Sequence, residues 1–280
     1  MIAPDPVAFS IFGLDIMWYG TLIGLGFILA VAISYYRAPK YNIDPDFILT
    51  LTIGIIPAAI VGARLYYVIF SWNDFAGNPL EIFNIRGGGL AIHGGLICSF
   101  LVGYILCKHY KVNFLNAADL IAPVIPLAQS IGRWGNFFNE EAHGGPTDLP
   151  WAQIIDGTGY HPTFLYESIW CLFLFLFLIW FSKDKSSFNG QIVCLYGILY
   201  SVERFFVESL RTDSLMIGFL RQAQVISLVI IIFCLVLYFA LSKRQRASAN
   251  ASENANKNAT ATGSESTNTN TNTNTNTNQH

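Results

Sequence analysis

This sequence predicts an all-α protein threaded about seven times through a lipid bilayer, and three observations carry that reading. Hydrophobic residues make up 53% of the 280 positions and charged residues 12%, against about 25% charged in soluble domains. Apolar runs long enough to cross ~30 Å of hydrocarbon recur along the chain. The lysines fall only in alternate connections between those runs and in the tail. Open sheet edges cannot face lipid, so the spans must be helices.

The runs lie at roughly 17–36, 47–70, 89–107, 117–137, 162–182, 190–210 and 220–242. The N-terminus lacks the basic n-region of a signal peptide, so the first run is expected to be kept. Arg37 and Lys40 follow the first run, Lys108 and Lys111 the third, Lys183 and Lys185 the fifth, and Lys243, Arg244 and Arg246 the seventh. The positive-inside rule makes those connections cytoplasmic, with the N-terminus outside and the C-terminus inside. With Lys257, these are ten of the 16 basic residues and include every lysine. Loops 71–88 and 139–161 then lie on the outer face. The second holds Glu140, Glu141, His143, Asp148 and Asp156 without one Lys or Arg, and its glycines and prolines suggest an irregular lid or arm. Asp119, opening the fourth run, reads as structural. In the fifth, Pro162 is a helix-start signal. Residues 1–246 form one transmembrane domain. Residues 247–280 are mostly Ala, Ser, Asn and Thr, with a Thr-Asn repeat near the end, a composition that predicts a disordered cytoplasmic tail.

The remaining six basic residues are all arginine, namely Arg64, Arg86, Arg133, Arg204, Arg211 and Arg221, and all belong to the outer half. A guanidinium near mid-bilayer costs roughly 3 kcal/mol or more unless an anion answers it. Arginine binds phosphate or carboxylate with two prongs and is less heavily hydrated than lysine. The group as a whole therefore points to an anionic headgroup in the outer leaflet. The competing reading is internal pairing, since Arg204, Glu208 and Arg211 can form a ladder on one helix face.

Other polar residues gather at this depth. Asn136, Asn139 and Glu141 follow Arg133 directly, and Tyr19 sits at the outer mouth of the first run. As an isolated residue, Tyr19 fits an aromatic belt. His93 lies between glycines in Gly87 to Gly95, which leave room for a ligand or another helix. His161, Tyr166 and Glu167 open the fifth run and read as capping and bracing groups. The five cysteines lie in apolar runs without CxxC spacing and read as core hydrophobes. No metal, cofactor or nucleic-acid partner is expected.

With these residues in view, the chain resembles the prolipoprotein diacylglyceryl transferase family from Trp18-Tyr19-Gly20 to about Gln224. The resemblance takes in Gly62-Ala63-Arg64-Leu65, Ala91-Ile92-His93-Gly94-Gly95, Ala118-Asp119-Leu120-Ile121-Ala122-Pro123, Gly144 to Trp151, and His161-Pro162-Thr163 with Leu165-Tyr166-Glu167. Its signature, glycine-arginine-any-glycine-asparagine, then asparagine-any-glutamate and a closing glycine, matches Gly132 to Gly144. Glu140 and His143 fall where members vary.

The resemblance implies a multi-pass enzyme of the bacterial cytoplasmic membrane. It moves a diacylglyceryl group from phosphatidylglycerol to the lipobox cysteine thiol of a preprotein signal peptide, leaving a thioether and glycerol phosphate. The nucleophile arrives with the substrate, so no enzyme cysteine is required. By resemblance, Arg133 and Arg204 hold the lipid phosphate, Asn136, Asn139 and Glu141 shape the headgroup pocket, and Tyr19 belongs to the lipid site. His93 is the candidate base, while Glu208, Arg211, Tyr166 and Glu167 lend ion-pair or structural support. A lipid transporter would also place arginine in the membrane, but would predict internal repeats and broken helices at the midplane. A lipid phosphatase would predict a Ser-His or metal-ligand constellation. Neither pattern is apparent in the sequence.

Overall fold

The computed structural model describes residues 1–85, 88–212 and 216–269, with side chains through 251 apart from 217. A hairpin of β1 (Val7–Ile11) and β2 (Leu14–Met17) leads directly into α1 (Trp18–Arg37). A 3₁₀ turn, Ala38–Tyr41, ends α1 at Asn42, whose φ of 53° no helix can continue. In α2 (Pro45–Phe70) the Asp44 side chain accepts from the Asp46 N–H, and Pro45 sits where a missing N–H does no harm. The loop beyond it contains α3 (Trp72–Phe75) and a 3₁₀ turn, Pro79–Phe83, before α4 (Ile92–His109).

The run expected at 117–137 is two helices. Asn113 caps α5 (Phe114–Ile121) by accepting from Leu115 and Asn116, and α6 (Val124–Phe138) starts after Pro123. Pro123 has no N–H for the helix ladder, which accounts for the break. A second hairpin, β3 (Gln153–Ile155) with β4 (Thr158–Tyr160), precedes α7 (Thr163–Asp184). Then come α8 (Gln191–Glu208), the hairpin of β5 (Met216–Ile217) with β6 (Leu220–Arg221), and α9 (Gln222–Thr269).

Among the described residues, six helical stretches are long and apolar enough to cross a membrane. The sixth expected run, 190–210, is α8, which falls short because it carries Glu203, Arg204 and Glu208 within 18 residues. Past Arg246, where composition predicts lost order, α9 continues as helix to Thr269, a stretch with no proline to stop it. Residues 270–280, the end of the Thr-Asn repeat, lie outside the described residues.

The two ends of the bundle differ in chemistry. At the lysine-rich end Arg37 donates to Ser182 Oγ at 2.7 Å and Lys40 Nζ to the Lys183 carbonyl at 2.5 Å. The apolar cores lie towards this end. One gathers Phe47, Ile48, Leu51, Cys107 and Leu120, and the other Ala122, Leu174, Leu178 and Ile192. Asp119 fastens the second core by accepting from the Gly190 and Val193 N–H groups at 2.7 and 2.9 Å, so it caps α8 from another helix. At the opposite end Trp18 stacks on Phe138 with centroids 5.1 Å apart.

Glycines set how closely two helix pairs approach. A Cβ on Gly62 or on Gly94 would collide with the other residue's carbonyl, so α2 and α4 cross backbone to backbone. The glycines flanking His93 therefore accommodate a helix. A Cβ on Gly135 would lie 2.6 Å from the Tyr19 ring, which lets α1 and α6 hold Tyr19 against the signature stretch.

Candidate active site

Two serines lock α6 to α7. Ser130 Oγ donates to the Ser168 carbonyl at 2.8 Å, and Ser168 Oγ returns the bond to the Ser130 carbonyl at 2.9 Å. Trp134 Nε1 adds a third bond, to Ser168 Oγ at 3.1 Å. This clasp fixes the register of the helices that carry Arg133 and Glu167. The start of α7 is tied down as well, because Thr163 Oγ1 donates to the Ala142 carbonyl.

Glu167 is the hinge of the polar cluster. Its carboxylate is 1% exposed and takes Arg133 Nη2 at 2.5 Å on one oxygen and Arg204 Nη1 at 3.0 Å on the other. Arg204 Nη2 then reaches Glu208 Oε2 at 2.6 Å. One carboxylate thus serves two guanidiniums, each about a fifth exposed, in a setting where water screens them little. Glu203 is buried on α8 as well, and neither of its carboxylate oxygens has a hydrogen-bond donor among the described residues.

Arg133 also closes the polar end of a cavity of about 540 Å³ between α1, α2 and α6. Most of the lining is aliphatic or aromatic, as for an apolar ligand with a polar end. Tyr19, Arg133 and Asn136 stand at that polar end. Asn136 Nδ2 donates to Glu141 Oε1 at 2.9 Å, Asn139 Nδ2 reaches the same oxygen at 3.4 Å, and Arg133 Nη1 approaches Asn136 Oδ1 at 3.5 Å. Arg133, Asn136, Asn139, Glu141 and Tyr19 are therefore brought together. Arg204 joins them through Glu167 and does not itself line the cavity.

The six outer arginines do not form one group. Arg64 is buried and donates to four backbone carbonyls, those of Glu81, Ile82, Gly88 and Gly89, at 2.6–3.0 Å. It holds a loop. Arg221 donates to the Glu208 carbonyl, and Arg211 pairs by backbone with Gly144. Arg86 lies outside the described residues. Tyr166 accepts from Trp151 Nε1 at 3.2 Å and lies 3.3 Å from His161 Nδ1, outside the ion-pair cluster. His93 is exposed on the first turn of α4, its ring 6.1 Å from that of Tyr66. Its neighbour Ile92 lines the cavity, but His93 does not, and among the described residues its ring contact is with Tyr66 and not with the arginine cluster.

Among the cavity residues that sequence reasoning missed are Tyr200 and Gln129. Tyr200 lines the wall with Arg133, and Gln129 lies one helical turn before Arg133 on α6. Tyr196 donates to Gln129 Oε1 at 3.1 Å and stacks on Tyr200. An uncharged polar residue in an apolar run gives little signal. Spacing is the one available here, because Gln129, Arg133 and Asn136 follow helical periodicity.

Comparison with known proteins shows which family the chain resembles. The family model described as prolipoprotein diacylglyceryl transferase matches residues 6–240. The phosphatidylglycerol–prolipoprotein diacylglyceryl transferase of Clostridioides difficile is 52% identical over 240 residues, covering 86% of this chain and 96% of the relative. Its counterpart from Finegoldia magna is also 52% identical over 240 residues, 86% of this chain and 97% of the relative. That of Clostridium novyi is 52% identical over 243 residues, covering 83% and 94%. Arg133, Glu167 and Arg204 all fall within the matched span, and the chain belongs to the prolipoprotein diacylglyceryl transferase family.

Proposed function

We propose that this protein transfers the diacylglyceryl group of phosphatidylglycerol to the cysteine thiol of prolipoproteins, the activity its relatives' names describe. The observation that carries this reading is the position of Arg133, a guanidinium at the polar end of an otherwise apolar cavity. A lipid fits such a site with its phosphate on the arginine and its acyl chains along the apolar length.

In the transfer a sulfur–carbon bond forms while the bond from the glyceryl carbon to a phosphate oxygen breaks. The phosphate keeps the electron pair, and glycerol phosphate leaves. Negative charge grows on the departing oxygen, where a fixed guanidinium in a water-poor site is most effective. Arg133 supplies that donor. Arg204 divides the Glu167 carboxylate with it, so Glu167 orients Arg133 without cancelling its charge. Asn136, Asn139 and Glu141 receive the glycerol headgroup, and Tyr19 forms the facing wall. The thiol proton passes to a base, for which His93 on the first turn of α4 is the candidate.

The thiol belongs to the lipobox of a signal peptide, and the site faces the outer leaflet of the bacterial cytoplasmic membrane with the N-terminus outside. Residues 1–246 form the transferase domain, and the remaining tail is cytoplasmic and dispensable. The test is to incubate purified protein with phosphatidylglycerol and a lipobox peptide and to read the peptide by mass spectrometry. A diacylglyceryl adduct on cysteine is the expected result. Free diacylglycerol and glycerol phosphate with unmodified peptide would make the protein a phospholipid phosphodiesterase, with water in place of the thiol, and overturn the proposal.

A further inference from the structure

The cavity holds a second hydrogen-bonding position that the arginine chemistry does not use. Gln129 lies four residues before Arg133 on α6, so the two share a helix face and Gln129 lies about 6 Å deeper. Both line the same cavity. The Gln129 carbonyl oxygen is engaged, since the Tyr196 hydroxyl donates to it at 3.1 Å. Tyr196 is itself held by stacking on Tyr200, with centroids 5.7 Å apart. The side chain is thereby oriented, and its amide group keeps two N–H donors. Those donors have no hydrogen-bond partner among the described residues. Thr52, another polar liner, turns its hydroxyl to the Ile48 carbonyl at 2.7 Å within its own helix.

An oriented amide donor inside an apolar cavity favours a ligand with an acceptor at that depth. A diacyl lipid with its phosphate on Arg133 places its ester carbonyls one glycerol backbone further in. We propose that Gln129 donates a hydrogen bond to an ester carbonyl of the lipid and selects diester over diether glycerophospholipids. This inference rests on the proposed seat of the phosphate at Arg133. The contact is remote from the breaking bond, so Gln129 is a positioning and specificity residue.

The experiment compares kcat/KM for diacyl phosphatidylglycerol with that for its dialkyl ether analogue of equal chain length, in the same detergent. Wild-type protein should prefer the diester by roughly three- to tenfold, the range of one neutral hydrogen bond. Gln129→Leu, which keeps bulk but no donor, should bring the ratio to about one. Gln129→Glu keeps an acceptor for Tyr196 but loses both N–H groups, and should also lose the preference. Absence of any preference in wild type would overturn the proposal. So would a preference that persists in either variant, or equal slowing on both lipids by Gln129→Leu, which marks a role limited to bracing Tyr196. Arg133→Lys run in parallel separates the two readings. If it turns over like wild type, the phosphate seat itself is wrong. If it is severely slowed on both lipids while Gln129→Leu leaves the ratio intact, only the Gln129 assignment falls.

Discussion

Arg133 Nη2 lies 2.5 Å from Glu167 Oε2, an ion pair between adjacent helices whose carboxylate is almost wholly removed from solvent. Removing one partner of a buried pair leaves the other charge stranded, at roughly 3–5 kcal/mol. Glu167 strands two, because Arg204 shares it.

Glu167→Gln should therefore lower the melting midpoint in detergent by roughly 6 °C or more, taking the lower end of that cost for partly exposed arginines. It should also remove most transfer activity. Glu208→Gln breaks the pair with Arg204 within one helix but leaves Glu167 holding both arginines, and should cost clearly less stability. Equal melting shifts for the two variants would show that sharing between Arg133 and Arg204 contributes nothing.

Arg64 offers a contrasting case. Its donors end on the carbonyls of Glu81, Ile82, Gly88 and Gly89, and hydrogen bonds to a charged group are among the stronger ones. Arg64→Gln should leave the bundle folded but open this loop, speeding protease cleavage between about 79 and 89 on the order of tenfold. An unchanged cleavage rate would mean that the loop is held by other contacts.

Orientation follows from the charge of the connections and is open to direct labelling. Lys183 is exposed at the lysine-rich end, and Asp148 lies in the loop before β3. The native cysteines are buried or half-buried, which keeps background low. In intact cells a cysteine at Asp148 should react with a membrane-impermeant thiol reagent, and one at Lys183 should not. The opposite pattern would place Arg133 against the inner leaflet.

The tail makes a simple test of domain extent. Truncation after Arg246 should leave insertion and turnover nearly unchanged, because activity is proposed to reside in residues 1–246. A large loss of turnover in correctly inserted protein would give the tail a role.

The spans were legible because apolar length is a one-dimensional signal, and so was the Arg133 to Glu141 stretch, because its members are near neighbours in the chain. Glu167 was visible as a capping, bracing or ion-pair support group, but without its partners. Its pairing with Arg133 and Arg204 depends on how α6, α7 and α8 pack, which no local pattern encodes. Arg64 shows the same limit from the other side. A buried arginine demands acceptors, but backbone carbonyls satisfy that demand as well as a ligand does, and residue types alone cannot distinguish the two. Gln129 and Tyr200 carry no charge, so an apolar run hides them until the cavity is seen. The sixth span blurred for a related reason, since the charges that put α8 at the site also keep it out of the helices apolar enough to cross a membrane.

The final prediction ranks Arg133 against His93. A free cysteine thiol has a pKa of about 8.5, so ionising it at neutral pH costs roughly 2 kcal/mol. A base that only supplies thiolate can therefore gain about 30-fold. A donor fixed against a leaving oxyanion is worth roughly 3–4 kcal/mol, or about 10²–10³-fold. The geometry agrees with this order, because Arg133 lines the cavity and pairs with Glu167 while His93 is exposed and does not line it. Arg133→Ala should abolish measurable transfer, and Arg133→Lys should be far from conservative, since lysine keeps the charge but loses the planar fork. His93→Gln should retain some activity, and that activity should recover as pH rises towards the thiol pKa, because hydroxide then supplies the thiolate that the histidine no longer does. The measurement is initial rate against pH for each variant, at matched expression and lipid. A His93→Gln enzyme dead at every pH, beside a partly active Arg133→Ala, would reverse the ranking and make the histidine more than a proton acceptor.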